Sequence, residues 1–163
     1  MADKVIDWTE VTIIPSDERL VKEISPQSNS GMIRRELIDN IQEENKPHLF
    51  PILDGIDSEE PSSVLASINK RVKKFVPIKA AFLGVGIDGH TASLFPEDKE
   101  LFSTYKPFLL TKRALESYCR VSISGSILSN TPRLIFFVSG KSKKKVMQMI
   151  MSDSKEDQKF PVI

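Results

Sequence analysis

An apolar stretch at residues 80–84 runs directly into a segment with three glycines in six positions, 84–89. A short strand without polar residues is typical of a central position in a parallel sheet, where both faces are covered. Further strands are predicted at 11–15, 49–53, 108–111, 120–124 and 134–139, and helices at 28–44, 61–76 and 141–151. Alternating strands and helices predict an α/β domain with a mainly parallel, Rossmann-like sheet flanked by helices.

Composition narrows the class of protein. The 163 residues suit one domain, 1–163, and carry a formal net charge of +1, which lacks the strongly basic signature of a nucleic-acid binder. No apolar run approaches the roughly 18 residues of a membrane span, and residues 1–7 lack the apolar core of a signal peptide. One cysteine cannot form an internal disulfide. We therefore expect no nucleic acid or membrane partner and a cytoplasmic location.

The segment 83–96, LGVGIDGHTASLFP, carries the strongest chemical signal. Glycines permit positive φ and a close approach of the backbone to a ligand. Asp88 and His90, two residues apart, lie in one tight turn, and Thr91 and Ser93 are predicted to open a short helix whose free amides favour an anion. An Asp-Gly-His triplet alone would fit a capped surface turn. Its position after an apolar strand, in a chain with two histidines, favours a functional site.

Two charged segments also follow predicted strands, as ligand-binding segments of parallel sheets do. Asp17, Glu18 and Arg19 fit a solvated charged turn, the usual fate of such triplets. Gly140 precedes Lys141 and three further lysines at 143–145, at the positive end of a helix dipole. That arrangement is unfavourable by a few tenths of a kcal/mol per lysine, roughly, unless an anion binds. Both segments are open to a solvated or an anion-binding interpretation.

The segment 83–96 closely resembles the signature of 6-phosphogluconolactonases, which share a fold with glucosamine-6-phosphate deaminases. The similarity extends to Asp7-Trp8, to 11–14 leading into 17–19, to Ser28-Asn29, and to 120–124 and 134–143, and so covers nearly the whole chain. The resemblance implies hydrolysis of 6-phosphoglucono-δ-lactone to 6-phosphogluconate in the pentose phosphate pathway. This acyl transfer to water needs no cofactor, and no residues have the spacing of a metal site.

The resemblance also assigns site residues. His90 would act as the base, since an ordinary imidazole titrates near neutral pH, and Asp88 would orient it or bind a sugar hydroxyl. Backbone amides from Gly86 through Gly89 to Thr91 would hold the oxyanion. The remaining substrate contacts implied are Asp17 in the pocket, Arg19 and Lys143 on the phosphate, and Arg120, for which a phosphate contact and an ordinary strand-edge charge are equal alternatives. Glu18 is expected to be structural.

Two alternatives remain at this stage. The first is a glucosamine-6-phosphate deaminase. Against it, the deaminases carry a Glu where this chain has Phe95, and a Tyr where it has Arg19, so their catalytic relay lacks a carboxylate here. The other alternative is an inactive sugar-phosphate-binding remnant. Members of the family begin with a strand, a Gly-Gly-Ser/Thr-Thr-Pro loop and a helix upstream of Trp8, and residues 1–7 resemble the end of that helix. Residues 160–163 resemble the approach to a last helix and strand.

We therefore expect the chain to lack its first strand–loop–helix unit and its C-terminal unit. A parallel sheet short of its first strand exposes an edge, which predicts pairing with another chain, including a homo-oligomer.

Overall fold

The computed structural model describes residues 7–50, 52–53, 60–98, 104–113 and 116–152. The strands within these ranges are β1 (Thr12–Ile13), β2 (Asp17–Arg19), β3 (His48–Leu49), β4 (Ala81–Gly84), β5 (Phe108–Thr111), β6 (Arg120–Ile123) and β7 (Leu134–Phe137). The helices are α1 (Asn29–Glu36), α2 (Pro61–Val72), α3 (Gly125–Ser129) and α4 (Lys144–Ile150). Short 3-10 turns occupy Trp8–Glu10, Ile38–Asn40, Glu43–Asn45, Lys73–Phe75 and Lys141–Lys143.

Parallel pairing confirms the predicted α/β class. Strand β1 pairs with β3, and α1 lies between them in sequence; β4 pairs with β7 in parallel across a longer crossover. Parallel neighbours require such crossovers, because the chain leaves the first strand at one end of the sheet and must enter the second strand at the other end. Within the described ranges these are two separate two-stranded sheets. The predicted end features at 1–6 and 160–163 lie outside the described residues.

A three-stranded antiparallel sheet, in the order β2–β6–β5, accompanies the parallel pairs. A solvated turn was one of two interpretations of the triplet 17–19, and that interpretation is wrong, because the triplet is a strand. Alternation explains the difference, because Glu18 points to the buried side, fully enclosed, while Asp17 and Arg19 share the opposite face. The charges that suggested a solvated turn are instead held by hydrogen bonds.

The helices end earlier than predicted. Ser28 caps α1, since its Oγ accepts from the Gly31 amide at 3.0 Å, but the helix ends at Glu36 rather than residue 44. The Asn40 side chain donates to the Arg35 carbonyl at 2.9 Å. This hydrogen bond replaces the backbone amide that the carbonyl would accept if the helix continued. Helix α2 likewise ends at Val72, followed by a 3-10 turn.

One core joins the sheets and helices. Val64, Ile68 and Val72 of α2 are buried and lie at helical spacing on one face. They pack in one cluster with buried apolar residues of several other elements: Phe50, Ile52, Leu83, Leu94, Phe108, Val121, Ile123 and Leu128. Because Leu94 belongs to this cluster, the glycine-rich segment after β4 is tied to the core. Within the described ranges, no helix is both long and apolar enough to cross a lipid bilayer.

The second face of the β4–β7 pair is open in the part of the chain described. Leu83 and Phe136 contact the core, whereas Phe82 and Phe137 on the other face are each 66% exposed, with stacked rings 6.1 Å apart. The apolar strand predicted to be covered on both faces is therefore covered on one.

Candidate active site

The segment after β4 folds into a tight turn. The Gly86 amide donates to the His90 carbonyl at 2.7 Å, and the Gly89 amide donates to the Gly86 carbonyl at 3.1 Å. Gly89 has a φ of 87°, a left-handed conformation that favours glycine. The turn therefore brings Asp88 and His90 together, as their spacing predicted.

Asp88 and His90 form a hydrogen-bonded pair, with 2.6 Å between Asp88 Oδ1 and His90 Nδ1. An ionised carboxylate only accepts, so Nδ1 carries the proton and the other ring nitrogen, Nε2, is left as a base. Burial alone would raise the pKa of Asp88, but hydrogen bonds and charge from His90 outweigh it and hold that pKa below its usual value. Both side chains are partly exposed, at 33% for His90 and 45% for Asp88.

Gly86 makes this pair possible for a steric reason. A Cβ at residue 86 would lie 2.2 Å from His90 Nδ1 and 2.5 Å from Asp88 Oδ1. Neither distance is compatible with atomic radii, so any larger residue would push the two side chains apart. The glycine thus serves the pair directly.

The predicted short helix at Thr91 is absent, which corrects that expectation. Thr91 and Leu94 exchange backbone hydrogen bonds at 3.2 and 2.9 Å, and Ala92 between them has a φ of 50°. The Thr91 hydroxyl is buried and donates to the Gly84 carbonyl at 2.8 Å. The amides of Gly86, Gly89, His90 and Thr91 are likewise occupied, while the Ile87 amide makes no hydrogen bond with another described residue.

Ser93 joins this turn to the antiparallel sheet. Its Oγ donates to Asp17 Oδ2 at 2.7 Å, and its amide donates to Ser122 Oγ at 3.1 Å. Asp17, predicted to line the pocket, therefore lies beside the Asp88–His90 turn. Ser93 and Ser122 are both completely buried. Ser93 was expected only to open a helix, and Ser122 was not singled out, because a serine within a strand has no distinguishing sequence signal.

Arg19 and Arg120 lie directly opposite each other in the register of β2 and β6. Like charges in this position repel, so each needs compensation. Arg19 Nη1 donates to Asn29 Oδ1 at 2.6 Å and to the Gln27 carbonyl at 3.2 Å. Its Nε is buried and makes no hydrogen bond with a described residue.

Arg120 is paired with Glu116 through two of its nitrogens, and its Nη1 lies 3.8 Å from Asp17 Oδ2. The Glu116 hydrogen bond is the main cause that raises the pKa of Arg120, and the same contact lowers the pKa of Glu116. Next to Arg120 on β5, the Thr111 hydroxyl is buried without a hydrogen-bond partner among the described residues. The structure thus groups Asp17, Arg19 and Arg120 on one face.

The lysine segment is arranged differently. Lys143 is half-buried at the end of a 3-10 turn, while Lys141, Lys144 and Lys145 are exposed. None of the four side chains makes a hydrogen bond or ion pair with another described residue. Lys145 lines a cleft of about 470 Å³ together with Asp88 and Glu97, and the remaining lining residues are Ile87, Pro96, Val146 and Met149.

Phe95 packs against the His90 ring, with 4.7 Å between ring centroids. It is 4% exposed, and the Arg113 guanidinium covers it at 3.9 Å from the ring centroid. The position that would carry a relay carboxylate in the deaminases therefore holds an aromatic ring in direct contact with the imidazole. No group of three or more potential metal-ligating side chains occurs within the described ranges.

Known proteins resemble this chain over most of its length. The chain is 29% identical over 165 residues to 6-phosphogluconolactonase 3 of Saccharomyces cerevisiae, covering 94% of this chain and 63% of that protein. It is 31% identical to the 6-phosphogluconolactonase of Helicobacter pylori, covering 91% of this chain and 64% of that protein. The chain thus spans less than two thirds of the length of these relatives.

Solved structures share the fold. A putative 6-phosphogluconolactonase from Neisseria gonorrhoeae matches at a TM-score of 0.79 and 26% identity, over 94% of this chain and 68% of that one. A monomeric glucosamine-6-phosphate deaminase matches at a TM-score of 0.76 and 15% identity, over 95% and 68%, which is likeness of fold alone. The family described as glucosamine-6-phosphate isomerases/6-phosphogluconolactonase matches residues 1–163, and the chain belongs to this family.

Proposed function

We propose that this chain carries the catalytic centre of a lactonase that hydrolyses 6-phosphoglucono-δ-lactone to 6-phosphogluconate. The observation that carries the proposal is the 2.6 Å contact between Asp88 and His90 Nδ1, which leaves Nε2 as a base at a partly exposed position. Relatives named 6-phosphogluconolactonase support the choice of substrate.

The proposed reaction is a base-assisted addition of water. His90 Nε2 takes a proton as the water oxygen attacks the lactone carbonyl carbon, and the carbonyl oxygen becomes an oxyanion. Asp88 stabilises the imidazolium that forms. When the tetrahedral intermediate collapses, the bond from carbon to ring oxygen breaks and the imidazolium returns its proton to that oxygen. The products are a carboxylic acid, which ionises, and a hydroxyl group.

The surrounding residues would bind and orient the substrate. The Ile87 amide would donate to the oxyanion, since it makes no hydrogen bond with another described residue. Arg19 and Lys143 would hold the phosphate, with Arg120 and Asp17 beside them. Arg19 suits this role because its planar fork matches phosphate geometry.

The test is hydrolysis of 6-phosphoglucono-δ-lactone, followed by a coupled assay of 6-phosphogluconate with spontaneous hydrolysis subtracted. We expect a rate proportional to enzyme concentration, and a much smaller rate with glucono-δ-lactone, which lacks the phosphate. A rate equal to the spontaneous one, with 6-phosphogluconate still bound, would replace the proposal by the binding-only alternative.

We also propose, as the sequence predicted, a cytoplasmic location and self-association through a free sheet edge. The supports are the single unpaired Cys119 and the restriction of β4 and β7 to pairing with each other within the described ranges. Light scattering across a concentration series tests the second point. A monomer at every concentration would contradict it.

A further inference from the structure

The hydrogen bonds around Arg19 divide its guanidinium into an occupied end and a free edge. Nη1 donates to Asn29 Oδ1 at 2.6 Å and to the Gln27 carbonyl at 3.2 Å. Nε is buried and unpartnered, and Nη2 makes no hydrogen bond with another described residue. A buried donor without an acceptor is costly, so this edge requires a partner that the described residues do not supply.

Asn29 fixes this arrangement from both ends of its amide. While Oδ1 accepts from Arg19, Nδ2 donates to the Asp17 carbonyl at 2.8 Å and to Asp17 Oδ1 at 3.0 Å. The amide orientation follows, because only oxygen can accept from a guanidinium and only nitrogen can donate to a carboxylate. Asn29 therefore joins the guanidinium of Arg19 to the carboxylate of Asp17.

The connection continues to the proposed base. Ser93 Oγ donates to the second oxygen of Asp17, and Ser93 lies three residues after His90 in the same turn. A continuous path of side-chain hydrogen bonds, Arg19–Asn29–Asp17–Ser93, thus connects the guanidinium to the turn that carries the Asp88–His90 pair.

We propose that Asn29 is a positioning residue that directs the Nε–Nη2 edge of Arg19 toward a tetrahedral oxyanion such as a phosphate. Two parallel N–H donors on that edge match two oxygens of one anion. This inference rests on the proposed function for the identity of the substrate, but the geometry of the edge does not depend on turnover.

Nitrogen-15 NMR of the arginine Nε–H groups, titrated with inorganic phosphate, tests the proposal directly. The Arg19 signal is assigned by its loss in Arg19→Lys. We expect this signal to shift with phosphate and saturate in the unsubstituted chain. In Asn29→Ala the Arg19 edge loses its alignment, and the phosphate Kd should rise about tenfold, as much as if one charge-assisted hydrogen bond from Arg19 were lost. Arg19→Lys, which keeps the charge and loses the fork, should weaken binding at least as much.

Asn29→Ala is expected to fold, because the backbone amide of residue 29 anchors α1. This amide donates to Glu18 Oε1 at 2.8 Å and is unchanged by the substitution. Asn40→Ala is the matched control, since that amide contacts only the Arg35 carbonyl on an exposed turn, and its Kd should equal that of the unsubstituted chain. A stationary Arg19 signal, or an unchanged Kd in Asn29→Ala, would overturn the proposal.

Lactone kinetics separate this inference from the proposed function. For an active chain, Asn29→Ala should raise KM about tenfold and leave kcat within about twofold, because binding rather than proton transfer is affected. A fall of kcat in Asn29→Ala with an unchanged KM would contradict a positioning role toward the anion. Failure of the unsubstituted chain to hydrolyse the lactone would reject the proposed function, while the phosphate titration would still decide the role of Asn29.

Discussion

Two cationic regions of this chain carry similar charge but differ in organisation. Arg19 and Arg120 lie side by side on an antiparallel sheet, partly buried, and each is hydrogen-bonded by neighbours. The lysines at 141 and 143–145 open a helix and contact no other described side chain through hydrogen bonds or ion pairs. A run of basic residues in a sequence therefore does not indicate how firmly the charges are held.

The difference has a structural cause. Strand register forces the two arginines together, so the sheet is stable only with Glu116, Asp17 and Asn29 placed to compensate them. A helix start imposes no such pairing, and its lysines extend into solvent at little cost. The arginine side chains are therefore held in place by neighbouring residues, whereas the lysine side chains have no hydrogen-bond or ion-pair partner among the described residues.

The largest expected effect follows from removing His90, the proposed base. His90→Ala should lower lactonase kcat by about 100- to 10,000-fold, the usual contribution of a general base. Phosphate binding at both cationic regions should be unchanged, since His90 forms no hydrogen bond with either. The assay is initial rate after subtraction of spontaneous hydrolysis, with circular dichroism as the folding control. A kcat equal to that of the unsubstituted chain would remove His90 as the base.

The second effect concerns stability of the arginine region. Glu18 is fully buried and accepts from the Ser28 hydroxyl and from the amides of Arg19, Asn29 and Ser30. Glu18→Ala leaves these donors unsatisfied and should lower the free energy of unfolding by about 3 kcal/mol or more. Urea denaturation measures it. Glu44→Ala, on an exposed 3-10 turn, is the control and should change it by less than about 0.5 kcal/mol. Equal effects would show that Glu18 anchors nothing.

Glu18 also marks the limit of sequence-based prediction. Local patterns predicted strands β4 to β7, helix α2 and the Asp88–His90 turn, because each depends on residues close in sequence. The antiparallel position of 17–19 depends on pairing with 120–122, about a hundred residues away, and no local pattern encodes it. The roles of Asn29 and Ser93 arise from the same distant pairing, so they became visible only in the structure.

The third effect compares lysines within one run. Lys143→Ala should weaken binding of 6-phosphogluconate about tenfold or more, since a charge-assisted contact contributes roughly 1.5–3 kcal/mol. Lys141→Ala should leave the Kd nearly unchanged, because that side chain is exposed and is not one of the proposed phosphate contacts. Calorimetric titration with 6-phosphogluconate and with gluconate measures both. Equal sensitivity to the two lysines, or equal binding of the two ligands, would show that the run is only a solvated helix start.

A smaller effect is the pH dependence of the pair that Arg120 forms with Glu116. The hydrogen bond from Arg120 lowers the pKa of Glu116, so the pair stabilises the folded state fully above the ordinary glutamate pKa, near 4.3. That stabilisation is lost as the pH falls through the lower, folded-state value. In Arg120→Gln the pKa of Glu116 should rise toward its ordinary value, as followed by carboxyl NMR. Glu97, whose pKa is lowered mainly by Arg113, should be unaffected and serves as the internal control.

The smallest expected effect is that of Phe95→Glu, which should create no new activity. Phe95→Glu introduces a carboxylate beside His90, where the deaminases have one, yet Arg19 still stands in place of their Tyr, and the aromatic contact with the imidazole is lost. We therefore expect no ammonia release from glucosamine-6-phosphate, measured on protein shown by circular dichroism to be folded. Phe95→Leu, which also removes the ring but adds no charge, separates loss of packing from the added carboxylate. Ammonia release above that of Phe95→Leu would mean that one residue, rather than the organised arginine face, separates the two chemistries on this fold.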